Sequence, residues 1–231
     1  VILNTPAHNP TGYAMDEDDW KAVSCILGRT EKGKKITLVA DVAYIDFAGE
    51  EEESRMFLPF LEKMPDNVLV LVAHSLSKSY TLYGMRCGAL ICMAKTREIA
   101  EEFKSVCEFS SRGSWSNCAR APQVILQKIY EDDRLLQKVM EERKNCRDML
   151  LKRGAAFKKA AEEAGLEMVP FRGGFFATVP CETPDKVSAQ LETMGIFTVP
   201  FTKGIRVSLA SVKEEKCREL PKAIIKAIES K

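Results

Sequence analysis

The densest run of chemically useful side chains lies at residues 75–88, where Ser75, Ser77, Lys78, Gly84, Arg86 and Gly88 follow one another closely. A lysine amine condenses with carbonyls to give a Schiff base, most readily when desolvation or a neighbouring cation lowers its pKa. Small hydroxyls and an arginine fork are the groups that a phosphate monoester needs for its oxygens. A carbonyl-seeking lysine beside a phosphate site points to an aldehyde that carries a phosphate, pyridoxal phosphate (PLP).

Four other places hold polar groups in unusual settings. Asn9 sits in a Pro-rich stretch, residues 4–12, which the X-Pro steps and Thr11-Gly12 keep out of helix. Asp41 follows the apolar run 36–40 and precedes Ala43 and Tyr44; a carboxylate at the end of a parallel strand is where α/β sheets place ligand groups. Arg112 lies in the polar stretch 110–117, and Arg206 lies among the apolar residues 205–209. Taken singly, each has a plainer reading: an ordinary turn, a strand-end cap, a surface arginine and an edge-strand arginine.

Together they have a family order. Ser75-Leu76-Ser77-Lys78, with Gly84, Arg86 and Gly88 downstream, resembles the lysine signature of the class I/II aminotransferases of the fold-type I PLP family, the aspartate/aromatic aminotransferase-like enzymes. Thr81 and Cys87 depart modestly from the usual residues. The resemblance implies that Lys78 forms the Schiff base and Asp41 pairs with the pyridine nitrogen. It further implies that Ala43 packs on the ring face and that Asn9 and Tyr44 bond the phenolic oxygen. Ser75, Ser77 and Arg86 would hold the phosphate. Arg206 would take the substrate's α-carboxylate, and Arg112 the distal carboxylate of a dicarboxylic substrate across a homodimer interface with shared active sites. The Asn9–Pro10 bond is expected to be cis.

The implied reaction is transamination between an amino acid, aspartate or another dicarboxylic or aromatic one, and a 2-oxo acid. A PLP-dependent β-lyase, a non-catalytic PLP-binding regulatory domain and an inert fragment are the alternatives. The resemblance covers nearly all 231 residues but only the later part of a usual member, so the sequence reads as a C-terminal portion. The implied fold is α/β: part of a large PLP-binding domain over 1–150, mostly parallel sheet flanked by helices, and an α+β small domain over 151–231.

The elements that must position these groups are legible in outline. The unbroken Val/Leu run 68–73 is a buried strand leading into the lysine, and 1–4, 36–40 and 89–93 are further strands. Acidic residues open a helix at 16 that stops at Gly28, before a basic loop over 29–35. The acidic stretch 49–53 reads as a solvated loop, and 55–63 as a short amphipathic helix. Thr96 N-caps a helix to 106, 110–117 is a loop whose Trp-Ser-Asn caps the next helix, and 118–152 is one or two long helices ending at Gly154. A helix over 155–164, strands at 174–179, 196–201 and 205–209, and helices over 184–194 and 213–231 complete the pattern.

Composition sets the remaining bounds. A formal charge of +1 gives no reason to expect nucleic acid or an acidic membrane surface. No run approaches the roughly 18 apolar residues of a membrane span. Eight scattered cysteines without a C-x-x-C read as reduced thiols of a cytoplasmic protein. With only His8 and His74 available, no metal site is expected.

Overall fold

The structure, a computed structural model, describes residues 1–30 and 33–230. The chain divides into two compact units, one made of Val1–Thr5, Met15–Ile45 and Glu52–Arg143, the other of Pro6–Ala14, Asp46–Glu51 and the chain from Lys144 onwards.

The first unit is built on a four-stranded sheet in the order β1-β2-β3-β4, with β1 at Ile2–Asn4, β2 at Ile36–Asp41, β3 at Val68–Ser75 and β4 at Gly88–Met93. The first three strands are parallel and β4 is antiparallel to β3. The register puts Asn4 beside Asp41 and Asp41 beside Ala73, so β1 and β2 end together and β3 runs two residues further. One face of the sheet buries Leu38, Ala40, Val70 and Val72 with Trp20 and Leu27 of α1, Glu17–Gly28. Helix α1 begins at a reciprocal capping box, in which Asp16 accepts from the Asp19 backbone and Asp19 accepts from the Asp16 backbone. Trp20 stacks on Phe57 at 5.6 Å between the short helices α2, Glu51–Arg55, and α3, Leu58–Glu62. Thus the acidic stretch read as a loop starts a helix at Glu51, and the single helix expected over 55–63 is two pieces broken around Met56 and Phe57.

A one-turn helix, α4, Leu76–Ser79, leaves the end of β3. Beyond β4 come α5, Arg97–Ser114, and α6, Arg120–Glu131. Thr96 caps α5 as its type predicts, accepting from the Ile99 backbone N–H. The helix continues through residues expected to be a loop, however, and α6 is entered at Ala119 without a side-chain cap, so Trp115-Ser116-Asn117 does not cap it.

Helix α7, Asp133–Ala164, runs from the first unit into the second without stopping at Gly154. The second unit holds an antiparallel three-stranded sheet, β5 at Phe176–Pro180, β6 at Val199–Phe201 and β7 at Gly204–Ser208, ordered β5-β7-β6. Its core joins Phe157 of α7, Leu191 of α8, Pro184–Thr193, Ile205, and Cys217 and Ile224 of α9, Glu214–Glu229. Gly154 does not end the helix; its lack of a side chain answers a packing need inside it. A Cβ there would lie 2.6 Å from a ring carbon of Phe171. Gly12, at φ +72°, faces the same ring, and a Cβ there would lie 2.2 Å from a Phe171 ring carbon; the Gly12 carbonyl accepts from Arg172 N–H at 2.9 Å. Phe171 thereby fixes the turn carrying Asn9.

The basic loop over 29–35 includes Glu31 and Lys32, and the closing helix was expected to reach Lys231; these three positions lie outside the described residues. Among the described residues, no helix is long and apolar enough to cross a membrane.

Candidate active site

In the first unit the groups are set by where strands stop. Asp41 is the last residue of β2. Its main-chain carbonyl accepts from the Thr5 N–H at 3.0 Å and the Asn4 carboxamide at 3.2 Å, and its Oδ1 accepts from the Ala43 N–H at 3.1 Å. This local turn buries Ala43 and Tyr44 immediately beyond the strand. On the neighbouring strand, Ser75 ends β3 and caps α4, its Oγ accepting from the Ser77 N–H at 3.2 Å. Ser77 is buried and Lys78 half-buried.

The Lys78 amine lies 5.0 Å from the centroid of the Tyr44 ring and 5.2 Å from that of Tyr83. Two aromatic faces at that range attract a cation. Arg86, at φ +51°, turns back over the same segment; its Nη1 donates to the Tyr83 carbonyl at 2.9 Å, and its guanidinium carbon stands 5.7 Å from the Tyr83 ring. Leu76 N–H donates to Cys87 O, so the segment carrying Arg86 is tied back to the start of α4. Gly88 is required here, because a Cβ would meet the His74 carbonyl oxygen at 2.4 Å. Asp41, Ala43, Tyr44, Ser75, Ser77, Lys78 and Arg86 therefore all belong to this unit, on adjacent strand ends and the segments that leave them.

Asn9 and Arg206 belong to the second unit, where they meet. The Asn9–Pro10 bond is cis. Arg206 Nη1 donates to Asn9 Oδ1 at 3.1 Å, although 197 positions separate them. Arg206 projects from β7, where Thr178 and Val199 flank it, and its guanidinium carbon lies 4.3 Å above the Phe176 ring. Phe176 is the diagonal neighbour on the same sheet face, since it pairs with Ser208. Arg206 Nε is buried and has no hydrogen-bond partner among the described residues. A buried, unpartnered guanidinium N–H is a costly arrangement that an incoming anion relieves.

Arg112 is in the last turn of α5 rather than in a loop, is exposed, and donates to Ser116 Oγ at 2.6 Å. Residue spacing gave no role to Tyr83 or Phe176. The only signal available for either was an aromatic close in sequence to a motif residue: Tyr83 between Lys78 and Arg86, Phe176 next to a second phenylalanine and two glycines. Among the described residues, no cluster of three or more His, Cys, Asp or Glu side chains could hold a metal ion.

A parallel sheet with lysine, aspartate and tyrosine at its strand ends, and an antiparallel sheet holding an arginine, define a recognisable class of protein. The family described as aminotransferase class I and II matches residues 1–224, and the chain belongs to that family. It is 27% identical over 233 residues to an aspartate aminotransferase of Pseudomonas aeruginosa, covering 99% of this chain and 56% of that protein. An aromatic-amino-acid aminotransferase of the same organism is 33% identical over 136 residues, 58% of this chain and 32% of the relative. The crystal structure of an aminotransferase from Anaerococcus prevotii superposes with a TM-score of 0.94 at 38% identity, covering 99% of this chain and 56% of the other. The aromatic-amino-acid aminotransferase of Burkholderia pseudomallei, whose structure holds covalently bound pyridoxal phosphate, shares the fold at a TM-score of 0.78 and 22% identity. The chain thus has the aminotransferase fold and spans about half the length of the relatives it matches.

Proposed function

We propose that this chain is the part of a PLP-dependent aminotransferase that carries the reactive lysine and the substrate-carboxylate arginine. The observation that carries this reading is the Lys78 amine held beside the Tyr44 ring, with Asp41 three positions earlier at the end of the adjacent parallel strand. The residues suit the cofactor: an amine for its aldehyde, a carboxylate for its ring nitrogen, a phenol and a carboxamide for its phenolic oxygen, and hydroxyls with an arginine for its phosphate. When bound, pyridoxal phosphate supplies the aldehyde that captures amines and the ring that accepts the electron pair left when Cα loses its proton.

The protein's own groups do the rest. Asp41 keeps the ring nitrogen protonated, which makes the ring a better electron acceptor. Tyr44 would offer its phenol, and Asn9 its carboxamide, as donors to a phenolic oxygen, which would tune the basicity of the lysine amine. Ala43 leaves room for the ring to lie flat. Ser75, Ser77 and Arg86 would hold the phosphate oxygens, Arg86 giving up its bond to the Tyr83 carbonyl for a stronger one to an anion. Arg206, its Nε already stripped of water, takes the α-carboxylate of the amino acid. With its amine free, Lys78 would serve as the general base that takes the Cα proton of the amino acid and, as the conjugate acid, gives it back at a carbon two bonds away, the proton shift that a 2-oxo acid product requires. Arg112 gives the site its reach for a second carboxylate, which makes aspartate-like substrates the first choice, in a homodimer whose sites are shared. Eight free thiols suit a reducing, cytoplasmic compartment.

Titrating the protein with pyridoxal phosphate tests the reading. The expected result is an absorbance band of lysine-bound cofactor that Lys78→Ala abolishes; undiminished binding by Lys78→Ala would overturn it. For the substrate class, Arg112→Ala should cost aspartate at least tenfold more in kcat/KM than an uncharged amino acid. Equal losses remove the dicarboxylate assignment and leave aromatic donors.

A further inference from the structure

Helix α4 is too short to be stable on its own. Four residues make a single turn, and an isolated helix needs about 12 or more to hold its shape. Yet the Lys78 amine must project from this turn in a fixed direction. Part of the support is local: the Ser75 cap at one end, and at the other the N–H groups of Tyr80 and Leu82 donating to the Leu76 carbonyl at 3.2 and 3.3 Å. The rest comes from a cluster that the proposed chemistry does not use.

Tyr80, two residues beyond the lysine, sends its phenol to that of Tyr130 near the end of α6, at 2.8 Å. The guanidinium carbon of Arg143, on α7, stands 5.6 Å from the Tyr80 ring. Burial, and after it the bond to Tyr130, pushes the Tyr80 phenol up to about 12, so it stays a neutral hydroxyl in any ordinary buffer. One side chain thus ties the lysine's turn to two long helices.

We propose that Tyr80 is a positioning residue for Lys78, with the Tyr80–Tyr130 hydrogen bond and the Arg143 contact fixing the turn from which the amine projects. The inference rests on the reading of Lys78 given above, but it can be separated from it.

Tyr80→Phe and Tyr130→Phe each delete one oxygen and keep the ring. In the chain without cofactor, amide hydrogen exchange at Tyr80 and Thr81, whose N–H groups donate to Leu76 O and Lys78 O, should quicken about fivefold in either variant, while β3 amides hold their rates. The double variant should be no faster than the single ones, because the same bond is lost. With pyridoxal phosphate added, the ellipticity of the cofactor band relative to its absorbance should fall by about half in both variants, with cofactor content within twofold of the parent protein. A fall in kcat at nearly constant KM should accompany it. Unchanged exchange overturns the tether. Faster exchange with an unchanged ellipticity ratio reduces the pair to a fold contact and overturns the positioning role. If the parent protein forms no Lys78-dependent band, the proposed function falls, and the exchange measurement alone decides whether the phenol pair holds the turn.

Discussion

The two units hold their charged groups in opposite ways. Lys78 stands on a single turn at the end of a parallel strand, supported by a serine cap, a few backbone bonds and a phenol pair, with aromatic rings about 5 Å from its amine. Arg206 is planted inside an antiparallel ladder, flanked by Thr178 and Val199, pressed on a ring at 4.3 Å and bonded to Asn9. A side chain on a single turn depends for its direction on contacts that lie outside that turn. A side chain built into a sheet takes its direction from the ladder neighbours, which allow one orientation.

The largest test of this contrast is to remove each charge. Lys78→Ala should eliminate the cofactor band, whereas Arg206→Ala should keep it and cut kcat/KM for amino acids by about 100-fold, the cost of losing a buried charged donor set. A comparable loss for an amine without a carboxylate would break the division of labour. Next come the glycines that let each region form. Gly88→Ala forces a Cβ to 2.4 Å from the His74 carbonyl beside the lysine, and Gly12→Ala adds a positive φ to a clash beside Asn9. Each should lower unfolding free energy in urea by about 3 kcal/mol. Phe176→Leu is milder: losing the ring under Arg206 should raise KM about fivefold with kcat nearly unchanged, and Phe176→Tyr should recover most of it.

The smallest effect is in pH. Burial holds the His8 imidazole below its ordinary 6.5, while Thr11 Oγ1 lies 2.8 Å from its Nδ1. A depressed folded-state value means that the unfolded chain binds the proton more readily. Stability from this residue is therefore complete above pH 6.5 and is lost as the pH falls below it. The Tm of His8→Gln should fall less than that of the parent protein between pH 7 and 5.

Most of the scaffold was legible because it rests on short-range rules. The Val/Leu run of β3, the acidic entry to α1 and the Thr96 cap of α5 all act within a few residues. So does the strand end at Asp41, whereas β3 runs two residues past the apolar stretch 68–73, to Ser75, because its pairing with β4 continues there. The failures share a cause. Glycine and serine at 110–114 suggested a loop, but a helix already nucleated at Thr96 extends through them at a cost of only tenths to about 1 kcal/mol per residue. Gly154 suggested a stop, but α7 runs through it, and the glycine there leaves room for the Phe171 ring. Tyr83, Phe176 and the Tyr80–Tyr130 pair were invisible for the same reason. Their partners are fixed by how segments fold back on one another, and no periodicity records that.

The ring of Phe171 touches two glycines 142 positions apart, and the two differ in what could replace them. At Gly154 the backbone is helical and only the ring stands in the way, so trimming residue 171 to a small side chain would free that site to accept alanine. At Gly12 the left-handed backbone forbids the exchange whatever happens to the ring. A genetic screen for second-site suppressors would recover compensated changes at the helix and none at the asparagine turn. In divergent relatives, residues 154 and 171 should vary together while position 12 stays silent.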